Sequence, residues 1–259
     1  MKTRIASNAQ ALGITAAQIV ARQVRRKAKP VLMLPTGETP LPMYDELVSL
    51  HQRRGLSFAR AVFFNLDEYC DLPENHPQSY HTYMRRNIFS RVDANPSNIH
   101  ILNGNATDLV QECVDFERQI TLAGGVDLAV LGLGRNGHVA FVEPPASLES
   151  RTHVALLSES TRQANSRFFG AVDDVPRRAV TVGLRTVLDS RKILILASGE
   201  EKALAVARAT QGPLSEACPA SALQTHPAVT FLVDEAAASR LQLNLSSGTW
   251  PAMIAEVGR

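Results

Sequence analysis

Short apolar runs alternate with longer amphipathic segments along most of the chain. The runs are VLML (31–34), AVFFNL (61–66), VDLAVLG (126–132), KILILA (192–197) and AVTFLV (228–233). They are apolar along their whole length rather than at every second position, which is typical of parallel strands buried on both faces. The segments between them have helical spacing, and the first predicts an amphipathic helix over about residues 8–28. The pattern therefore predicts repeated strand–helix units.

The predicted fold class follows from this alternation. Strand–helix units favour an α/β protein with a doubly wound, mostly parallel sheet and helices on both faces, a Rossmann-like three-layer sandwich. The chain has 259 residues, 45% of them hydrophobic, which is enough for one large core. No linker rich in Pro, Gly or Ser divides it, so we expect a single domain over residues 1–259, with a terminal extension after Leu245.

Charge and cysteine content narrow the classes of function. The 27 Lys and Arg residues nearly balance the 25 Asp and Glu residues, an excess too small to indicate a nucleic-acid partner. We interpret the basic residues late in the first helix as a solvated face: Arg22, Arg25, Arg26, Lys27 and Lys29. The three cysteines are far apart, and no apolar run is long enough for a signal peptide or a membrane span. We expect a cytoplasmic protein with neither a disulfide framework nor a membrane partner.

Ligands of open parallel sheets bind beyond the carboxyl ends of the strands, so the residues after each run matter most. The first run is followed by PTGETP, in which Gly37 permits a tight turn and Thr39 is placed to cap a helix beginning at Pro40. The backbone N–H groups of residues 36–39 could bind a phosphate there. The loop lacks the GxxxxGK[ST] and GxGxxG patterns, so neither ATP nor NAD is indicated, and an ordinary capped helix start is the alternative.

Two carboxylates, Asp67 and Glu68, stand directly behind the second run. A carboxylate at such a strand end is a candidate general base, because partial burial raises its pKa toward a useful range. The alternative interpretation is that either residue caps the loop or pairs with a nearby arginine.

The loop after the third run, LGLGRNGHVAFVEPP, concentrates glycines and polar groups. Its glycines allow tight turns and bring Asn136, His138 and Glu143 into a short stretch. A carboxylate such as Glu143 can fix the tautomer of His138 and stabilise its charged form, which suits proton transfer at a sugar oxygen. Metal binding is a rival use, but no HExxH pattern, paired histidine or cysteine completes a ligand set. A structural histidine is the other alternative.

Two cations complete the candidate site. Arg167 lies in TRQANSRFF, and Lys202 lies in the first turn of a helix predicted after KILILA. A cation in the first turn opposes the helix dipole, which a reach toward an anion would explain. A solvated surface position is the alternative for each.

These residues belong to a longer series of motifs. The series runs LPTGETPLPMY, NLDEY, HPQSYHTYMRRNIF, LNGNA, GLGRNGHVAFVEP, SRT, TRQANSRFF, TVGLRTVLD and SGEEKALA, over about residues 1–240. In order and spacing it resembles the glucosamine-6-phosphate deaminases, within the wider sugar-phosphate isomerase and lactonase superfamily. The resemblance implies that glucosamine 6-phosphate and water give fructose 6-phosphate and ammonia, with no metal or organic cofactor.

The resemblance also implies a role for each matching residue. Asp67 would be the general base that moves a proton between C2 and C1 of the opened sugar. His138 would be the ring-opening acid/base, oriented by Glu143, with Asn136 as a further polar partner. An active-site lid would span about residues 157–177. The phosphate would be held by Thr36, Gly37, Glu38, Thr39, Arg167 and Lys202.

Three positions depart from the usual family pattern. Asn136 stands where many members have Asp, which should lower the basicity of His138. Val142 stands where the family reads FNEP, and so removes an amide beside Glu143. Glu38 occupies a place that is usually Gly or Ser, and a carboxylate beside a phosphate costs energy unless it points away.

The family differs among its members in allosteric activation and in oligomeric state. In the members activated by N-acetylglucosamine 6-phosphate, basic residues shortly after SRT bind the effector. Here those positions hold His153 and Ala155, so we expect the activation to be absent or much weakened. The family contains monomers and hexamers, which leaves a homo-oligomer open.

Three alternative functions stay open at this point. The changes at Val142 and Glu38 are compatible with a related enzyme that acts on galactosamine 6-phosphate or another sugar phosphate. A 6-phosphogluconolactonase typically reads GDGHTASLFP where this chain reads RNGHVAFVEP. A sugar-phosphate sensor would carry a DNA-binding helix-turn-helix, for which the residues before the first run leave little room.

Overall fold

A parallel sheet of seven strands forms the centre of the computed structural model, which describes residues 1–242. In spatial order its strands are β1 (Lys2–Ala6), β10 (Val229–Asp234), β9 (Ile193–Ala197), β6 (Leu128–Gly132), β2 (Val31–Leu34), β3 (Val62–Asn65) and β5 (Ile99–His100). Every neighbouring pair is parallel. The predicted mostly parallel sheet is therefore confirmed, and each of the apolar runs forms one of its strands.

Helices cover both faces of this sheet. One face is covered by α1 (Ala9–Arg26), α2 (Leu41–Arg54) and α3 (Tyr80–Asn87), and the other by α4 (Leu109–Leu122), α6 (Leu184–Leu188) and α7 (Ala203–Gln211). Successive strand residues alternate between the two hydrophobic clusters: Leu32 packs with α1 and α2, whereas Met33 packs with α4 and α7. The predicted three-layer α/β arrangement is confirmed.

The first predicted helix corresponds to α1. It begins where the side chain of Asn8 accepts a hydrogen bond from the N–H of Ala11 at 2.9 Å, and its buried residues include Leu12 and Val20. The strand before it, β1, was not predicted. Its sequence KTRIA is largely exposed and lies at an edge of the sheet, so it lacks the apolar run that marks the central strands.

A second, smaller sheet was also absent from the sequence prediction. It consists of β4 (Asp67–Tyr69), β8 (Arg178–Thr181) and β7 (His153–Leu156), paired antiparallel in that order. The chain passes from β3 into β4 through Leu66, whose carbonyl accepts the N–H of Val182 at 2.8 Å. This places the small sheet at the carboxyl end of β3.

The segment between β7 and β8 contains α5 (Glu159–Phe169), and this is the segment predicted to be a lid, residues 157–177. The side chain of Phe169 packs against a third hydrophobic cluster that includes Tyr69 and Phe141. The predicted extension after Leu245 lies outside the described residues. Within residues 1–242, none of the helices has the length and apolar character needed to cross a bilayer.

Asp127 joins elements at the amino ends of the strands. Its carboxylate is 4% exposed and accepts hydrogen bonds from Lys27 Nζ at 2.8 Å, Arg191 Nη1 at 3.2 Å and the N–H of Val31 at 2.8 Å. The group therefore ties the end of α1 and the start of β2 to the segment that leads into β6.

Candidate active site

Because the strands of the central sheet are parallel, the predicted site residues lie together at the carboxyl ends of the strands. The strands β9, β6, β2 and β3 are neighbours, so their carboxyl ends lie side by side. The loop after β2 holds residues 35–39, the residues after β3 include Asp67, the loop after β6 runs through residue 143, and Lys202 follows β9.

Asp67 is a buried carboxylate with an oxygen left free. It is 5% exposed, and its Oδ1 has no hydrogen-bond partner in the described part of the chain. Burial raises the pKa of Asp67 well above its ordinary value, and the neighbouring charge of Glu68 raises it further. Such a carboxyl binds a proton more tightly than an exposed one, as a general base requires.

Glu68, the other candidate carboxylate of this strand end, has a structural role. It accepts hydrogen bonds from the N–H groups of Tyr69 at 2.8 Å, Tyr80 at 3.0 Å and His81 at 3.0 Å, and its Oε2 lies 2.9 Å from Nδ1 of the His81 ring. Glu68 thereby caps the first turn of α3. The capping alternative predicted from the sequence therefore applies to Glu68, whereas Asp67, of the two the one with an unbonded oxygen, stays a candidate base.

The loop after β6 folds tightly around the imidazole of His138. The N–H of Gly134 donates to the His138 carbonyl at 2.8 Å, and the N–H of Gly137 donates to the Gly134 carbonyl at 3.0 Å. Gly137 has φ +87°, which disfavours other residues. A Cβ atom on Gly134 would lie 2.4 Å from the His138 ring, so only glycine lets the ring occupy this position.

Glu143 collects polar contacts from this loop and from α5. Its Oε2 accepts Asn136 Nδ2 at 2.9 Å and lies 3.6 Å from His138 Nδ1, an ion-pair separation rather than a hydrogen bond. Its Oε1 accepts the hydroxyl of Thr161. Burial raises the pKa of Glu143, but His138, Thr161 and Asn136 outweigh it and bring the value to about 2. Glu143 is therefore a carboxylate that lies beside the His138 ring.

These contacts explain the asparagine at position 136. Its amide nitrogen donates to Glu143, while its Oδ1 accepts the N–H of His138 at 3.2 Å. An aspartate in this orientation would set two carboxylates against each other at 2.9 Å, which is repulsive. Val142, the second departure, is buried at 3% exposure in the main core cluster.

The small sheet connects this loop to Asp67. The N–H of Phe141 donates to Thr181 Oγ1 at 3.1 Å, and Thr181 pairs with Asp67 across β4 and β8. The Phe141 ring also packs 5.5 Å from the ring of Tyr69. Asp67 and the His138 loop are thus held by shared contacts.

The loop after β2 is positioned by two tyrosines. Tyr44 donates its hydroxyl to the Pro35 carbonyl, and Tyr83 donates to the Gly37 carbonyl at 2.5 Å. Gly37 has φ +95°, and the N–H groups of residues 37–39 have no acceptor in the part of the chain that the structure describes. This arrangement leaves backbone donors available for an anion.

The predicted cap at Thr39 is wrong. The helix α2 begins at Leu41, and Pro40 is its N-cap residue, with no side-chain hydrogen bond to the first turn. The N–H of Leu41, at the start of the helix, donates instead to the Glu38 carbonyl at 3.1 Å. A backbone turn, and not the threonine side chain, therefore satisfies this N–H group.

Lys202, Arg135 and Arg167 lie close enough together for their charges to interact. Burial lowers the pKa of the half-buried Lys202, the charges of Glu201 and Glu38 act to raise it, and those of Arg135 and Arg167 lower it further. Arg167 Nη2 lies 2.6 Å from Glu38 Oε2, so Glu38 does not point away from the cations but pairs with one of them. The three cations outnumber the two carboxylates, Glu38 and Glu201, so the cluster offers positive charge to an anion.

Sequence reasoning missed two of these residues. Arg135 stands in GLGRNGH, where a cation in a glycine-rich loop at a strand end was a usable signal. Thr161 had no such signal, because its contact with Glu143 depends on how α5 is placed over the loop.

Two cavities lie away from this edge. One of about 740 Å³ is lined by residues of α3, α4 and β5, and the other, of about 400 Å³, includes Glu117, Arg151 and Ser190. Neither is lined by a predicted site residue. Within residues 1–242, no three His, Cys, Asp or Glu side chains are grouped to hold a metal ion.

Comparison with known proteins gives consistent matches over nearly the whole chain. The family of glucosamine-6-phosphate isomerases/6-phosphogluconolactonase matches residues 4–232. A glucosamine-6-phosphate deaminase of Thermoanaerobacter pseudethanolicus is 45% identical over 239 residues, covering 92% of this chain and 94% of the relative. Glucosamine-6-phosphate deaminase 1 of Bacillus subtilis is 46% identical over 239 residues, covering 92% of this chain and 99% of the relative.

Solved structures give the same result. A monomeric glucosamine-6-phosphate deaminase has a TM-score of 0.91 at 46% identity, covering 93% of this chain and 100% of that chain. The 6-phosphogluconolactonase of Thermotoga maritima has a TM-score of 0.71 at 23% identity, covering 90% of this chain and 99% of that chain. The second likeness concerns the fold alone.

Proposed function

The chain belongs to the family of glucosamine-6-phosphate isomerases and 6-phosphogluconolactonases, and we propose that it converts glucosamine 6-phosphate and water into fructose 6-phosphate and ammonia. The observation that carries most of this proposal is Asp67, a buried carboxyl with a raised pKa and an unbonded oxygen. Isomerisation of an aldose phosphate needs such a base, whereas hydrolysis of a lactone needs none at C2.

Asp67 acts on the opened sugar. Its carboxylate takes the proton from C2 and returns it to C1, while one proton of the C2 ammonium group passes to the C1 oxygen, so that C1 becomes an alcohol and the double bond to nitrogen forms at C2. Water then adds at C2, and ammonia leaves. The raised pKa of Asp67 strengthens it as a base toward a weakly acidic C–H bond.

His138 opens the sugar ring before that step. A protonated imidazole donates its proton to the ring oxygen, and the neutral imidazole that results accepts the proton of the C1 hydroxyl, so that the ring opens and His138 regains its charge. Glu143, at 3.6 Å, stabilises the charged ring, and Asn136 holds Glu143 in place through its 2.9 Å hydrogen bond.

The phosphate group binds where backbone donors and cations meet. The loop of Thr36, Gly37, Glu38 and Thr39 supplies N–H groups, and Arg167 and Lys202 supply charge. The converging charge of Arg135 supports this assignment. Binding the phosphate at a fixed distance from Asp67 orients the reacting carbons.

Several narrower predictions accompany this function. We propose one domain, in which residues 157–177 act as a lid, and a reaction that needs no metal or organic cofactor. The substrate is an aminosugar phosphate, and neither nucleic acid nor membrane takes part. Cytoplasmic location and oligomeric state stay predictions.

A direct test supplies purified protein with glucosamine 6-phosphate and galactosamine 6-phosphate in parallel. It measures ammonia from both substrates and fructose 6-phosphate from the gluco epimer, because the reaction leaves C4 unchanged. Asp67→Asn should lose most turnover while substrate binding, measured by calorimetry, persists. The matched control is Asp71→Asn, the same change at a carboxylate whose side chain is 69% exposed. Turnover of the galacto epimer alone would indicate the related substrate, and normal turnover by Asp67→Asn would overturn its role as base.

A further inference from the structure

One helix reaches both ends of the proposed site. From α5, Thr161 donates its hydroxyl to Glu143, and Arg167 pairs with Glu38 at 2.6 Å in the loop after β2. Between them, Asn165 Nδ2 donates to the Tyr69 hydroxyl at 3.0 Å. Thr161 and Arg167 are six residues apart, about 9 Å along a helix axis. A rigid element therefore links the phosphate loop to the carboxylate beside His138.

The Thr161 contact is built into the start of this helix. The side chain of Ser158 accepts the N–H of Thr161 at 3.2 Å as the N-cap of α5, and Thr161 is 7% exposed. The hydroxyl is thus fixed in the first turn, where the helix dipole also favours a carboxylate such as Glu143. Displacing α5 would remove both effects from Glu143.

We propose that Thr161 is a positioning residue through which α5 couples phosphate binding at Arg167 to the orientation of Glu143. This inference rests on the proposed function. The Thr161 hydroxyl already lies on Glu143 while Arg167 is paired with Glu38. Phosphate that replaces Glu38 as the partner of Arg167 binds α5 more tightly in this position, and so stabilises the contact between Thr161 and Glu143. Proton transfer by His138 is then favoured most when the phosphate end of the site is filled.

The charges around Glu143 are few. In the described residues, His138 is the titratable side chain that contacts it, and Asn136 and Thr161 are its neutral partners. The neighbouring Arg162 is directed elsewhere, with Nη1 3.0 Å from Glu159 and Nη2 3.7 Å from Asp173. Loss of the Thr161 hydroxyl should therefore raise the pKa of Glu143, because no arginine contact replaces the lost hydrogen bond.

The kinetic test compares Thr161→Val with Thr161→Ser. Valine keeps the shape and removes the donor, so kcat for ammonia release should fall roughly tenfold while KM stays near that of the parent protein. The acidic limb of the kcat profile should move to higher pH, because the pKa of Glu143 loses a lowering contact. Serine keeps the hydroxyl and should restore most of kcat. A profile that Thr161→Val leaves unchanged would overturn the inference.

A second test needs no turnover. Inorganic phosphate is titrated into protein carrying ¹³C-labelled glutamate carboxyls, with the Glu143 signal assigned by its loss in Glu143→Gln. Phosphate should shift this signal in the parent protein and in Thr161→Ser, but not in Thr161→Val. Phosphate affinity, measured by calorimetry, should be retained in Thr161→Val to within about threefold, because a neutral contact remote from the anion contributes little.

The outcomes separate the inference from the function it rests on. Phosphate that binds without moving the Glu143 signal in the parent protein overturns the coupling alone. Absence of phosphate binding overturns the proposed phosphate site, and the coupling with it. Absence of turnover by the parent protein, with phosphate-dependent shifts intact, overturns the substrate assignment and leaves the coupling standing.

Discussion

Asp67 shows how strongly its surroundings can change the properties of a single carboxyl group. Its carboxyl is buried with one oxygen unbonded, and its pKa is raised by burial and by Glu68. By contrast, Glu68 lies one residue further along and accepts hydrogen bonds from three backbone N–H groups, with Nδ1 of the His81 ring at 2.9 Å. Two adjacent acids in the same strand therefore differ in their hydrogen bonding: Glu68 is fully bonded, whereas Asp67 keeps an oxygen that can accept a proton.

The raised pKa predicts a gain of stability on Asp67→Asn. An acid whose pKa is raised on folding favours the folded state below its unfolded pKa, and this contribution is lost as pH rises through the folded value. Above the ordinary range of an aspartate, folding must bury the charge or take up a proton. Urea unfolding should show Asp67→Asn to be more stable than the parent protein at about pH 8, with a smaller difference near pH 4. A less stable variant at the higher pH would contradict this.

Glu38 is the second residue whose surroundings predict an effect. Its carboxylate occupies Arg167 at 2.6 Å, although both side chains are 59% exposed. At the proposed phosphate site the substrate has to displace Glu38 from Arg167, so Glu38→Ser should lower KM by roughly two- to fivefold, with little change in kcat. Steady-state kinetics at low salt would measure this, and Glu149→Ser, at an exposed acid, is the control. A raised KM would show that Glu38 assists binding instead.

At the scale of the element, the loop after β6 depends on how closely its backbone approaches a side chain. Gly134 lies against the His138 ring, where a Cβ atom would come within 2.4 Å, whereas a Cβ atom on Gly132 would meet nothing within 4 Å. The two glycines look alike in the motif GLGRNGH. Only their positions relative to His138 distinguish them.

This difference gives a matched pair of variants. Gly134→Ala should displace the imidazole and reduce kcat by about tenfold or more, because misplaced catalytic groups lose that much or more. Gly132→Ala, at the end of β6, should stay within about threefold of the parent protein, since propensity effects at such a site are below 1 kcal/mol. Turnover assays with circular dichroism as a folding control would measure both. Equal losses in the two variants would indicate that the backbone, and not the ring, is disturbed.

Across the whole molecule, the carboxyl and amino ends of the central strands differ in how completely their charged groups are paired. At the carboxyl edge lie Asp67 and the converging cations, whereas at the amino edge Asp127 is fully paired. Such a division allows changes at the amino edge to alter stability without altering the reaction.

We therefore expect Asp127→Ala to lower the free energy of unfolding by about 2–4 kcal/mol, because it leaves the N–H of Val31 buried and unpaired and separates α1 from the sheet. The exposed pair of Asp115 and Arg118 provides the control, and Asp115→Ala should cost less than about 0.5 kcal/mol. Urea unfolding measures both. A turnover number that falls with Asp127→Ala below its melting transition would contradict the division.

Regulation is also predicted at the scale of the whole molecule. Ala155 is buried at 8% exposure in the third hydrophobic cluster, and the His153 ring lies 2.7 Å from the Arg151 carbonyl. Neither position offers a free cation to a phosphate. N-acetylglucosamine 6-phosphate should therefore leave the saturation curve for glucosamine 6-phosphate unchanged. A clear shift to lower substrate concentrations would contradict this.

The sequence by itself determined the layered architecture of this protein. Runs such as VLML and KILILA predict buried strands because burial on both faces is a local property that each run carries alone. Ligands of parallel sheets bind beyond the carboxyl ends of the strands, so the segments that hold Asp67, His138 and Lys202 could be singled out from the sequence. The strand order that makes them neighbours came from the structure. The strands KTRIA and DEY were missed because their pairing partners, and not their own composition, make them strands.

Only the tertiary structure decided which polar groups find partners. Glu38 meets Arg167 from 129 residues away, and Glu68 meets the first turn of a helix that starts beyond a long loop. A hydrogen bond depends on distances of a few tenths of an ångström, which no residue's identity specifies. The unbonded oxygen of Asp67 and the hydroxyl of Thr161 on Glu143 are properties of the packed molecule, because each depends on what several separate segments place around one carboxylate.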